Sequence, residues 1–138
     1  MAARSERLPA LAGAAKLRLV AEILRVYVVV RWSMRNRDIR ATVQRLRGRH
    51  TAGLVTDYAL ALRLGKAVAR TLSLLPTDNR CLARSLVLDT MMVRRSLRSV
   101  VVLGARSEPD FAAHAWVEHD GVPVLPPGAP SYQRLIEL

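Results

Sequence analysis

The sequence predicts an α+β fold of N-terminal helices followed by a further helix packed on a small antiparallel sheet. Three observations predict it. Apolar residues recur at helical spacing through the first 75 residues. The polar run Thr77-Asp78-Asn79 is suited to cap a further helix, and short β-branched runs then flank an Asp120-Gly121 turn. With 138 residues, 51% of them hydrophobic, the chain can bury a core without disulfides. Its single cysteine, Cys81, forms no internal bridge, so a reducing, cytoplasmic setting is expected. Charges at Arg18, Glu22, Arg25 and Arg31 break the longest apolar stretch, Leu17 to Trp32, which argues against a bilayer span. Charges also fall where a signal peptide would need its apolar region.

Leu17, Val20, Leu24 and Val28 form the apolar stripe of a first helix, widened by Ile23, Tyr27 and Val30. The very basic segment 36–49 reads as a loop with a short exposed helix. A second amphipathic helix runs through Leu54, Tyr58, Leu62, Gly65, Ala69 and Leu72 and stops before Pro76. A third is expected from about Arg80 to Arg95, with Leu82, Leu86, Thr90 and Val93 inward; Arg94, Arg95 and Arg98 at its end suit the helix dipole. Strands are expected at Val100–Leu103, Phe111–His119 and Val122–Leu125, before Pro126, Pro127 and Pro130 end regular pairing. The chain therefore divides into a basic helical region, 1–75, and a core carrying the chemistry, 76–138.

Charge is lopsided. Residues 1–50 hold twelve of the 22 Lys and Arg but three of the eleven Asp and Glu, hence +9 of the net +11. Such a surface suits an acidic protein, anionic lipid or nucleic acid, or is simply a solvated arginine-rich face. With only Tyr27 and Trp32 aromatic, this stretch lacks the aromatics that a single-strand nucleic-acid binder interleaves with its basic residues, so no nucleic acid is expected as a partner. One Cys and scattered His50, His114 and His119 match no zinc spacing, and no phosphate loop or carboxylate pair appears. No metal or cofactor is called for.

Chemistry concentrates on two residues. Cys81 falls in the first turn of the third helix, where free backbone N–H groups and neighbouring Arg80 and Arg84 favour a thiolate, the form that attacks carbonyls. The ordinary alternative is an inert core thiol. On an extended Phe111–His119, His114, Trp116, Glu118 and Asp120 share one face. A helix-start cysteine followed by a histidine on a strand is a layout shared by cysteine hydrolases and acyltransferases.

Three stretches, Cys81-Leu82-Ala83-Arg84-Ser85-Leu86, Val101-Val102-Leu103-Gly104-Ala105-Arg106 and Phe111-Ala112-Ala113-His114-Ala115-Trp116-Val117-Glu118, are followed by Gly121 and Pro123. Together they resemble the lasso-peptide biosynthesis leader peptidases of the transglutaminase-like, papain-related cysteine protease superfamily. The resemblance covers roughly residues 62–124. It implies a cytoplasmic enzyme that cuts a ribosomally made precursor peptide between leader and core. A leader-recognition protein presents the precursor, and a separate lasso cyclase acts afterwards. Carried over by motif, Cys81 is the nucleophile and His114 its general base and later acid, while Arg84, Arg106, Trp116 and Glu118 shape the site. An ion pair between Arg84 and Glu118, with Trp116 as plain core, is the ordinary alternative for those residues. The runner-up function is a non-catalytic, arginine-rich helical module that docks an acidic partner or, peripherally, a membrane surface.

One position departs from the family pattern. The aspartate that orients the histidine there normally follows it by twelve residues, and here that position is Pro126. A two-residue turn pairs His119 with Val122 and Val117 with Val124, returning residue 126 beside His114. Asp120 is about 20 Å up the strand and Glu118 about 13 Å, at ~3.3 Å per residue, so neither replaces it. The expectation is a Cys–His dyad.

Overall fold

The computed structural model describes residues 2–36, 38–47, 54–75, 80–107, 111–124 and 132–138. Four helices, α1 (Ala2–Asn36), α2 (Ile39–Arg47), α3 (Tyr58–Ser73) and α4 (Arg80–Arg94), precede four strands. These are β1 (Val100–Arg106), β2 (Ala112–His119), β3 (Val122–Pro123) and β4 (Gln133–Glu137), in one sheet ordered β3-β2-β1-β4 with every pairing antiparallel. The α+β expectation holds.

α4 is the centre of the molecule. Every residue from Ser85 to Val93 is buried, including Asp89, whose carboxylate accepts the Ser99 hydroxyl at 2.6 Å. A helix buried on all sides must be covered on all sides. One core cluster accordingly joins Leu86, Val87, Met91 and Met92 to Ile23, Val26 and Val30 of α1, Val43 of α2, Leu64 and Val68 of α3, and Val101 and Val117 of the sheet. The core thus draws on residues both before and after position 76.

The ends of α4 and α3 are tied by side chains. Ser96 adopts φ 58° just past α4, and the Leu97 N–H reaches back to the Met92 carbonyl at 2.9 Å, closing the last turn. Arg95 donates to the Met91 carbonyl and forks onto Glu22 of α1 at 2.9 and 3.2 Å. The bonded Arg95 guanidinium holds Glu22 below the usual carboxylate range, outweighing the opposing effect of burial. The Asp57 side chain caps α3 by accepting the Leu60 N–H.

Two expectations are corrected. The stripe Leu17, Val20, Leu24 and Val28 does not face the core: Leu17 is 72% and Val28 65% exposed, and between residues 13 and 35 the buried positions of α1 are Ile23, Val26, Val30 and Ser33. Both arcs of this helix are apolar, so periodicity alone could not choose between them. The second correction is β4, an edge strand beyond the proline-rich stretch whose pairing with β1 was not anticipated. Its five residues are all exposed and lack alternation, so it carries no inward pattern to read.

The hairpin forms as expected, with Asp120 at φ 50° and Gly121 at φ 79°, the paired positive angles of a type I′ turn. His119 pairs with Val122, and the Val124 N–H reaches the Val117 carbonyl at 2.9 Å. The Thr56 hydroxyl donates to Asp120, and Arg98 lies 3.6 Å from its carboxylate. Pro126 and the Thr77-Asp78-Asn79 cap lie outside the described residues.

Candidate active site

The register of β1 against β2 sets Val100 opposite Glu118, Val102 opposite Trp116 and Gly104 opposite His114. Paired residues share a face, so His114, Trp116 and Glu118 line one side of the sheet as expected. Trp116 lies over Gly104: a Cβ at residue 104 would come within 2.7 Å of the indole ring and 3.0 Å of the Gln133 carbonyl. Glycine is required there for clearance. Gly104→Ala is expected to cost about 1–3 kcal/mol of stability and to displace Trp116; thermal melting and near-ultraviolet circular dichroism would read both effects.

Trp116 in turn packs on His114, the two rings 6.1 Å apart and nearly parallel at 22°. Tyr132, just before β4, packs on the same imidazole with its ring centre 5.1 Å away. The indole N–H donates to Glu118 at 3.1 Å, and Arg134 forks onto both Glu118 oxygens at 2.8 and 3.0 Å and also meets Glu137. Glu118 therefore holds Trp116 and Arg134. The Arg84–Glu118 ion pair weighed from the sequence does not form, because the Glu118 carboxylate is already occupied. Tyr132 and Arg134 were missed by sequence reasoning. Nothing marks either one locally, since both reach the site only through the unanticipated β4.

Cys81 is half-buried in the first turn of α4, the place expected of it, and its carbonyl accepts the Ser85 hydroxyl at 2.7 Å. Among the described residues no hydrogen bond joins its thiol to His114. Arg84, one turn further along, acts on His114: burial first, and then the Arg84 cation, push the imidazole below its ordinary pKa. The Arg106 guanidinium lies over Tyr132, 5.5 Å from the ring centre. The Nε atoms of Arg84 and Arg106 are both buried and lack a hydrogen-bond partner. His114 thus stands half-buried in a three-ring cluster with Trp116 and Tyr132, whose own ring centres are 6.4 Å apart, and its neutral form is favoured by burial and by Arg84.

His119 has a different role. It is fully buried, its Nε2 accepts the Asp57 N–H at 2.9 Å, and its Nδ1 donates to the Arg98 carbonyl at 2.6 Å. Both nitrogens are engaged, so this imidazole fastens β2 to the start of α3. Among the described residues no group of three His, Cys, Asp or Glu could hold a metal ion. No helix there is long and apolar enough to cross a membrane.

The family model of the Transglutaminase-like superfamily matches residues 24–137. The chain belongs to that superfamily. The match extends from within α1 to the end of β4, so it takes in α4, the whole sheet and both candidate residues. The superfamily includes cysteine peptidases and is typically cysteine-protease-like. No curated protein and no solved structure matches the chain.

Proposed function

We propose that this transglutaminase-like protein is a cysteine-type leader peptidase acting on a ribosomally made lasso precursor peptide. The observation that carries the reading is the placement of Cys81 at the start of the buried central helix, one turn before the arginine whose charge acts on His114. In this mechanism His114 takes the thiol proton and the thiolate attacks the carbonyl carbon of the leader–core bond. The tetrahedral intermediate collapses as the imidazolium protonates the departing core amine, leaving a thioester on Cys81. His114 then takes a proton from water, and the resulting attack releases the leader and regenerates the thiol. A direct thiol–imidazole hydrogen bond is not required in the free enzyme for His114 to draw on the thiol proton, since catalytic hydrogen bonds are often long there and tighten when peptide binds. The rings of Trp116 and Tyr132, packed with the imidazole in a three-ring cluster, restrict its orientation, and the proposed unit is a Cys–His dyad without an orienting carboxylate. Mass spectrometry of the protein with a precursor peptide encoded beside its gene, with and without the neighbouring leader-recognition protein, tests this. One new pair of masses is the expected result; no cleavage in either mixture contradicts it.

The exposed arc of α1 supports a presenting partner. Leu17, Val20, Leu24, Val28 and Trp32 are all solvent-exposed and lie on one side of the helix among Arg18, Arg25, Arg31 and Arg35. The nearest acid along α1, Glu22, is engaged by Arg95. Arg31, set within the apolar arc, suits a protein face with carboxylates among its apolar groups better than hydrocarbon. The same arc favours the second reading, a docking module without catalysis. A Leu24→Glu and Val28→Glu double variant is expected to weaken partner-dependent processing about tenfold or more, with the melting temperature nearly unchanged. Undiminished processing would remove α1 from the interface.

A further inference from the structure

We propose that Arg84 and Arg106 form an anion-binding subsite beside His114 that takes a side-chain carboxylate of the bound peptide. The subsite rests on the peptidase reading for the identity of its ligand but not for its chemistry. The other half-buried arginine among the described residues, Arg95, meets Glu22, and even the exposed Arg134 and Arg98 meet carboxylates, of Glu118, Glu137 and Asp120. Arg84 and Arg106 are also half-buried, yet neither makes an ion pair with any described residue, and each keeps a buried Nε–H without an acceptor. A buried donor left unmade is costly, and a guanidinium fork is shaped for a carboxylate.

The two side chains come from different elements, α4 and the last residue of β1, and border one cluster. Arg106 lies over Tyr132, Tyr132 packs on His114, and Arg84 acts on His114 electrostatically. Two half-buried cations, each with a buried donor to spare, are suited to an anion that arrives from outside. An acidic side chain near the scissile bond fits, because it would be held next to the residue that moves the proton. Binding would also offset the Arg84 cation, which after burial is the second cause that keeps His114 below its ordinary pKa.

The test uses Cys81→Ala protein, which cannot turn over, and follows the His114 ring signals by NMR. The probes are Ac-Ala-Asp-Ala-NH2, Ac-Ala-Asn-Ala-NH2, Ac-Ala-Ala-Ala-OH and inorganic phosphate. The aspartyl peptide is expected to give a saturable shift that weakens with salt, at least tenfold tighter than the asparaginyl peptide. Arg84→Gln and, separately, Arg106→Gln should each weaken it tenfold or more, with Arg84→Lys intermediate. Equal responses to the aspartyl and asparaginyl peptides, a response to the C-terminal carboxylate or phosphate but not to the aspartyl side chain, or undiminished binding in both glutamine variants would overturn the proposal. Because no cleavage is read, failure here leaves the peptidase reading standing, and failure of cleavage elsewhere leaves this result standing.

Discussion

Cys81→Ala is expected to abolish cleavage of the precursor, a fall of about 10³-fold or more, while the protein stays folded. The magnitude follows from removing the group that forms the covalent bond: what survives loss of a nucleophile is the small acceleration from binding and positioning alone. Folding should tolerate the change because Cys81 is half-buried at the edge of α4, and its contribution there runs through the backbone carbonyl that accepts the Ser85 hydroxyl. Asp120→Asn is the control. Its carboxylate sits in the hairpin turn, engaged by Thr56 and Arg98, and asparagine tolerates the positive φ. Cleavage by that variant should change little. Quantitative mass spectrometry of both reads the contrast, and a Cys81→Ala protein that still cuts would rule out the covalent mechanism.

His114→Ala should be nearly as damaging, because the same imidazole moves the proton in every step. The pH dependence gives a second reading of this residue. Burial and the Arg84 cation both disfavour the imidazolium, so the folded-state pKa lies below that of the unfolded chain, ordinarily about 6.5. The folded protein then binds fewer protons than the unfolded one as the pH falls through this window. Stability contributed by His114 is present above the unfolded pKa and is lost as the pH falls through the folded pKa. Activity that needs the neutral imidazole should likewise persist to a pH below 6.5 before it declines. Replacing Arg84 by glutamine removes one of the two causes and should move that decline upward. A pH–rate profile of wild type and Arg84→Gln checks the direction, and an unmoved acid limb would separate Arg84 from His114.

Much of the fold was legible because its strongest signals are local. The apolar stripe of α4, the Asp120-Gly121 turn and the extended run of β2 depend on residues close in sequence. They placed Cys81 in a first turn and His114, Trp116 and Glu118 on one face. The misreadings were tertiary. α1 has two apolar arcs, and which one is buried depends on α4 and α3 packing against Ile23, Val26 and Val30. The partner of Glu118 depends on β4, a strand with no inward pattern of its own, so Arg134 could not be anticipated. Gly104, which ends a β-branched run by its composition, proved to be the space that Trp116 occupies. The three-ring cluster of His114, Trp116 and Tyr132 was beyond sequence reasoning for the same reason: Tyr132 arrives with β4.

The central claim is that Cys81 and His114 act as one unit, and alkylation of the thiol tests it without any peptide. The rate of Cys81 modification by iodoacetamide, followed by mass spectrometry of the intact protein from pH 5 to 9, would be compared between wild type and His114→Ala. The account predicts modification of the wild type already below pH 7, slowed about tenfold or more by loss of the imidazole. A thiol that resists alkylation until alkaline pH, at the same rate in both proteins, would contradict it.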